Sequence, residues 1–233
     1  MEVEGEFMGV EWYNLHARTN GGYKNNAIYT IEGTSAEAIF EQELISMLHV
    51  HKSVLDAGCG HGDFTLKMGR IGTEITGFDN SSEMINIAAS KLSEVECENV
   101  KFVYATTLNE LPFYEEQFDF IYNRRGPTSI LNHSRILTSG GTIFGIHSGA
   151  LDKVKERLIS NGFINIQIEE YQNAIYYFPN ELEFAKYLTG IPGNPDYTSP
   201  TRKKELQQQI EENRINGSIG IREYRYIWKA NKP

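Results

Sequence analysis

The stretch Val54-Leu55-Asp56-Ala57-Gly58-Cys59-Gly60-His61-Gly62-Asp63-Phe64 decides how the rest of this chain is read. A short apolar strand ends in an acid and passes into a turn with glycine at every second position, and Phe64 to Met68 can begin a helix. Glycines permit φ angles that other residues resist and let backbone come close to a ligand. The helix start beyond them offers unpaired N–H donors. Strand, glycine turn and helix in this order build a site for a nucleotide-type ligand at the carboxyl end of a β-strand. Outward from it, Glu74-Ile75-Thr76-Gly77-Phe78-Asp79 reads as a second strand ending in an acid, nineteen residues beyond Gly60. An acid at that distance can bond a ribose diol.

The spacing selects the ligand. A dinucleotide turn reads G-x-G-x-x-G, whereas this one reads G-x-G-x-G, with Asp63 three residues after Gly60. A carboxylate is the wrong charge beside a pyrophosphate. A ligand with an ammonium group and a ribose but no phosphate suits Asp56 and Asp63 better, and S-adenosylmethionine is such a ligand. The run D-A-G-C-G-H-G resembles motif I of the class I methyltransferases, D-x-G-x-G-x-G. Further along, Leu111-Pro112-Phe113 followed by Phe118-Asp119-Phe120-Ile121 is similar to a companion pattern of that family, and Gly140-Gly141 before Thr142–Ile146 to its glycine turn. The resemblance covers residues 36 to 170.

That resemblance implies a doubly wound α/β fold: a seven-stranded, mostly parallel sheet with an antiparallel last strand, and here a helical insertion before it. It implies S-adenosyl-L-methionine as cofactor, held by Asp56, Gly58, Cys59 and Gly60, by Asp79, Asn80 and Met84, and by Thr106 and Asn123. Ala105-Thr106-Thr107 stands where many members carry an aspartate, so a threonine hydroxyl, that of Thr106, or a backbone carbonyl is expected to substitute. Asn123-Arg124-Arg125-Gly126-Pro127 departs from the [D/N/S]-P-P-[Y/F] motif of the amino-methylating nucleic-acid enzymes, which disfavours that chemistry. Arg124 and Arg125 are candidates to pair with a carboxylate or phosphate of the substrate; alternatively one pairs with Glu115-Glu116 and stiffens the loop. His147, after the fifth strand, is the candidate general base, or else a polar residue of the crevice wall; His133 and His61 are weaker candidates. Glu11 and Tyr13 of the amino-terminal segment can also face an acceptor.

Composition sets limits. The chain of 233 residues has a net charge of −9, which disfavours binding to polynucleotides. Residues 202–233 carry eight basic residues against four glutamates, leaving +4 there and −13 elsewhere. A solvated helix and a lysine-decorated strand account for that segment more simply than an RNA-binding face. No apolar run reaches membrane-spanning length, and the start, Met1 to Glu6, is acidic rather than signal-like, so a cytoplasmic location is expected. Cys59 and Cys97 have neither disulfide nor metal spacing; Cys59 reads as a small apolar filler. No acidic constellation suggests a metal.

A single domain is expected, in four parts: 1–33 as an amino-terminal lid, 34–171 as the cofactor-binding core, 172–220 as an insertion, and 221–233 as the last strand. Thr34 or Ser35 can cap a helix over Ala36–Leu48 with Ile39, Leu44 and Leu48 on one face. Leu151–Ser160 reads as a helix, Phe163–Tyr171 and Ile221–Trp228 as strands, and Glu181–Leu188 and Arg202–Asn213 as helices of the insertion. Trp12, Tyr13, Tyr23 and Tyr29 with Tyr171, Tyr176, Tyr177, Phe178, Phe184 and Tyr187 give the two lid segments an aromatic character that suits an organic substrate; packing of the lid is the plainer account of any one of them. Methylation of a small-molecule acceptor is the leading expectation. The alternatives are an RNA methyltransferase of the guanine-N1 type, whose zinc module is missing here, an NAD-dependent enzyme, and a non-catalytic cofactor-binding module.

Overall fold

A computed structural model gives the fold, and it describes residues 10–15, 17–18, 21–22 and 26–233. The expectations for Met1–Glu6 and for Tyr23 lie outside the described residues.

Helix α1 (Ala36–Leu48) begins where the Ser35 side chain accepts from the Ala38 amide, and it buries Ala36, Phe40, Leu44 and Leu48 at a spacing of four. Phe40 rather than Ile39 leads that stripe, stacked on Phe144 with ring centroids 4.6 Å apart. Strand β2 (Ser53–Ala57) follows, then the glycine turn and α2 (Asp63–Gly69), β3 (Glu74–Asp79), α3 (Ser82–Ser93), β4 (Val100–Tyr104) and β5 (Phe118–Arg124). A 3-10 segment, Thr128–Ile136, leads into β6 (Leu137–His147), α4 (Leu151–Ser160) and β7 (Ile164–Tyr171). The last strand of the chain, β11 (Arg225–Asn231), inserts between β6 and β7 and is antiparallel to both.

The main sheet therefore runs β4-β3-β2-β5-β6-β11-β7, seven strands with the first five parallel. Neighbouring residues on its strands go to opposite faces. Val54, Phe120, Phe144 and Ile227 pack with α1 and α2, while Leu55, Ile121, Ile143 and Trp228 pack with the 3-10 segment and α4. Chain order reverses between β2 and β5, and open α/β sheets bind ligands at that switch point.

A second sheet was not legible beforehand. Strand β1 (Thr30–Glu32), β8 (Ile175–Phe178), β10 (Ser218–Arg222) and β9 (Arg214–Ile215) form a four-stranded antiparallel layer in the order β1-β8-β10-β9. With α5 (Glu181–Thr189) and α6 (Lys203–Glu212) it has its own core of Tyr176, Phe178, Phe184, Leu188, Leu206 and Ile210. The run expected as one strand from Ile221 to Trp228 is two, because the chain leaves the small sheet at Arg222 and enters the large one at Arg225. Among the described residues no helix is long and apolar enough to cross a membrane.

Candidate functional site

The glycine turn is held from above and below. Gly58, Gly60 and Gly62 all have φ between 54° and 87°, the left-handed region that favours glycine. A Cβ on Gly58 would stand 2.7 Å from the Gly126 Cα, and one on Gly126 would stand 2.0 Å from the Ala57 carbonyl oxygen. The turns after β2 and β5 thus touch backbone to backbone. At Gly60, by contrast, a Cβ would meet nothing within 4 Å, so open space lies against the turn there.

Asp79, at the end of β3, faces the same turn. Its Oδ2 accepts the Gly60 amide at 2.9 Å and its Oδ1 the Ser81 amide at 2.9 Å. Burial raises its pKa, and the amides of Ser81, Gly60 and Asn80 oppose the shift. Ser81 caps α3 by accepting from Met84 at 3.1 Å, and its hydroxyl donates to Asn14 at 2.5 Å. Asn80 is half-buried beside it, Met84 is buried, and Thr106 is half-buried, its hydroxyl accepting from the Leu108 amide. The segment that holds Asn14 packs over this end of the sheet: Arg18 pairs with Glu83 at 3.4 Å, and buried Gly22 lies against the His61 ring. Tyr13 meets Trp12 edge to face at 5.1 Å in the same segment.

Three expected ligand contacts are corrected by this geometry. Asp56 does not face the open side of the turn. It is 2% exposed, and its Oδ2 accepts from Thr65 at 2.7 Å and from the Tyr122 hydroxyl at 2.8 Å, bracing the turn from beneath. Burial pushes its pKa up to about 6 against those two hydrogen bonds. Asn123 is wholly buried and spends its amide on the next loop, accepting from Gly126 at 2.7 Å and donating to the Pro127 carbonyl at 2.9 Å. Asp63 points away to Lys91 and to His61 Nε2, so it does not serve an ammonium group at the turn. Cys59 packs against Gly77, and burial together with the Asp56 and Asp79 carboxylates keeps it a thiol.

His147 is the fourth correction. Its Nδ1 accepts the Trp228 indole N–H at 3.1 Å, which leaves Nε2–H to donate to the Gly126 carbonyl at 3.0 Å. Both ring nitrogens are committed, and burial lowers the pKa to about 4. A neutral imidazole with no free lone pair cannot take a proton from an acceptor. His133 bonds the Thr107 carbonyl at 3.0 Å.

Arg124 and Arg125 do not reach Glu115 or Glu116; Glu116 bonds Ser139 and pairs with Lys232. Both arginines turn to Glu37 in the first turn of α1, at 2.8 and 3.1 Å, and Arg124 also lies 4.3 Å over the Phe64 ring. Sequence reading missed Glu37 and Arg225, the third arginine beside it. The available signals were an acid inside an otherwise apolar helix start and an arginine within an alternating strand. The other basic residues near the carboxyl terminus are dispersed, Arg202 onto Glu205 and Arg214 onto Glu211. Of the expected lid aromatics, Tyr29, Tyr176, Phe178, Phe184 and Tyr187 pack on one another in the small layer, and Tyr171 bonds Glu169 at the surface. A cleft lined by His51, Lys52, Thr73 and Glu74 opens at the amino end of β2 and β3 and holds none of the motif residues. Among the described residues no three His, Cys, Asp or Glu side chains are grouped to hold a metal ion.

Comparison with known proteins agrees with the geometry. Residues 54–141 match the family model of a methyltransferase domain. A demethylmenaquinone methyltransferase of Listeria monocytogenes is 29% identical over 103 residues, which are 42% of this chain and 43% of that relative. The chain thus spans less than half the length of the curated relatives it matches. A functionally unknown protein from Deinococcus radiodurans superposes over 96% of this chain and 100% of its own, with a TM-score of 0.70 and 20% identity. Phosphoethanolamine N-methyltransferase 2 of Haemonchus contortus, solved with S-adenosyl-L-methionine, superposes over 82% of this chain and 52% of its own, with a TM-score of 0.54 and 16% identity.

Proposed function

We propose that the chain, which matches a methyltransferase-domain model over residues 54–141 and is similar to a demethylmenaquinone methyltransferase, is a class I S-adenosylmethionine-dependent methyltransferase that methylates a small organic acceptor by in-line displacement. The observation that carries this reading is the pairing of Asp79 with the glycine turn. A desolvated carboxylate stands at the end of β3, fixed by the Gly60 and Ser81 amides, beside open space at Gly60. A ribose diol offers the donors that such a carboxylate takes.

In this reading the bound cofactor supplies an electrophilic methyl group on a sulfonium. The chain's own residues bind and orient. Asp79 takes the ribose, the Gly58–Gly60 backbone lets the ligand approach, and Asn80, Met84 and Thr106 form the remaining walls. Asp56 and Asn123 act at one remove, by holding the turns after β2 and β5 in place. Residues 10–15, tied down through Asn14, with Tyr13 among them, exclude water from the acceptor side. With both ring nitrogens committed, His147 does not act as the base in this reading.

Calorimetric titration with S-adenosylmethionine, S-adenosylhomocysteine and NAD tests this, on the wild type and on Asp79→Ala. Binding of both sulfur ligands, absent for NAD and weakened at least about tenfold in the variant, is expected. S-adenosylhomocysteine formation with a metabolite pool, and none with total RNA, then identifies the acceptor class. Binding of NAD alone, or equal binding by wild type and variant, overturns the reading.

A further inference from the structure

Two carboxylates border the glycine turn, and both take their hydrogen bonds from neutral groups. Asp56, 2% exposed beneath the turn, accepts from the Thr65 hydroxyl of α2 and the Tyr122 hydroxyl of β5. Asp79, at the end of the neighbouring strand β3, accepts from the amides of Gly60, Ser81 and Asn80. Among the described residues neither acid lies within ion-pair distance of a lysine, arginine or histidine. Arg124 of β5 does act on Asp56 through space, but its Nε is bonded to Glu37 at 2.8 Å, and its pull is smaller than the cost of burial. The Asp79 charge works in the opposite sense and disfavours the Asp56 carboxylate further.

The other titratable groups around the turn do not supply the missing cation. Asp63, at the start of α2, pairs with Lys91 of α3 and with His61 of the turn. Cys59 and Tyr122 stay neutral, because burial and the two carboxylates hold the thiol and the phenol protonated. A buried carboxylate gives up hydration that two hydroxyl bonds only partly replace, and the Asp56 pKa accordingly stands at about 6. A cation bound against the turn offsets part of that cost, and a neutral ligand does not. The place for it is the open space at Gly60, two residues beyond the turn's first glycine.

We propose that Asp56, acting through the turn without touching the ligand, makes the site prefer the cationic sulfonium cofactor to the neutral thioether that methyl transfer leaves behind. The inference rests on the methyl-transfer reading above for the identity of the ligand. S-adenosylmethionine carries one positive charge more than S-adenosylhomocysteine, and the two share adenine, ribose and amino-acid end. Asp79, Asn80, Met84 and Thr106 face those shared parts and treat both ligands alike. A buried charge does not, since it acts over several ångströms where water is excluded. The preference therefore follows the Asp56 proton. Below about pH 6 the acid is neutral and the extra charge of the ligand finds no counterpart; above it the attraction is present. On transfer the methyl group passes to the acceptor and the bonding pair stays on sulfur, which becomes neutral. The hold from Asp56 ends with that charge, and product release is favoured.

Calorimetric titration of the full chain from about pH 5 to about pH 7 tests this, with S-adenosylmethionine, S-adenosylhomocysteine and sinefungin, whose ammonium replaces the sulfonium. Affinity for the two cations is expected to rise about fivefold over that range, while that for S-adenosylhomocysteine stays within about twofold. Near pH 5.5, titrations in buffers of different ionisation enthalpy are expected to show about half a proton released on binding either cation and none on binding the thioether, a measurement that needs no variant to fold. In Asp56→Asn all three ligands are expected to bind without this pH dependence. In His61→Gln, at the same turn, the dependence is expected to persist. A ratio of S-adenosylmethionine to S-adenosylhomocysteine affinity that is flat with pH overturns the inference. So does proton uptake in place of release, a slope that Asp56→Asn retains, or one that His61→Gln abolishes. In each of those outcomes the cofactor reading stands, because the ligands bind. Binding of none of the three overturns both.

Discussion

At the scale of single residues, the glycine turn depends on groups buried beneath it. Asp56 is the clearest. Its pKa rises from 3.8 to about 6 on burial, so the folded state binds a proton more tightly than the unfolded chain does. The sign follows: this stabilisation is present below about pH 4 and lost as pH rises through about 6, a difference of roughly 3 kcal/mol. Asp56→Asn keeps an acceptor for Thr65 and Tyr122 but removes the charge. The unfolding free energy of the variant relative to wild type is therefore expected to rise between pH 4 and pH 6.5, by denaturant titration; a flat difference counts against it. His147 makes a parallel case. His147→Phe leaves the Trp228 N–H and the Gly126 carbonyl without their partner, and about 2 kcal/mol of stability is expected to go. S-adenosylhomocysteine affinity is expected to stay within about threefold of wild type.

At the scale of elements, the glycine turn divides its glycines by task. Gly60→Ala meets open space but must adopt φ near 54°, which costs about 1–2 kcal/mol in stability. The added methyl stands where the cofactor is proposed to lie, so cofactor affinity is expected to fall by a larger factor than stability predicts. Gly126→Ala instead drives a Cβ into the Ala57 carbonyl, and a loss of about 3 kcal/mol is expected, because backbone rather than a flexible side chain has to move. Melting and calorimetry on the two variants separate a ligand-facing glycine from a packing one. Equal effects on both quantities would sink the distinction. The strand-turn-helix unit and the β3 acid were legible from residues 54–64 and 74–79, since glycine spacing and strand-end acids are local signals. What Asp56 and Asn123 bond to was not, because their partners Thr65, Tyr122 and Gly126 reach them only after β2 and β5 lie side by side.

At the scale of the whole molecule, the described residues form two layers with separate cores. The small sheet and its helices pack around Phe184, which is fully buried, and Phe184→Ala is expected to cost about 3–5 kcal/mol. Hydrogen exchange in β8 and β10 is expected to accelerate while β2, β3 and β5 stay protected; uniform acceleration would mean a single cooperative unit. The chain passes from the small sheet to the large one through Glu223-Tyr224-Arg225, and this crossing delivers Arg225 and Glu223 to the helix start that carries Glu37. Sequence by itself determined the alternation of strands and helices, the glycine turn and the acid that faces it, while the antiparallel last strand came only from the family resemblance. The first three rest on periodicity and on backbone freedom, which act over a few residues. Tertiary structure alone decided that β1 pairs with β8 some 145 residues further on, and that His147 is locked rather than basic. It also decided that Arg124, Arg125 and Arg225 share one half-buried glutamate. Burial and charge compensation depend on which distant segments exclude water together, and no local pattern encodes that.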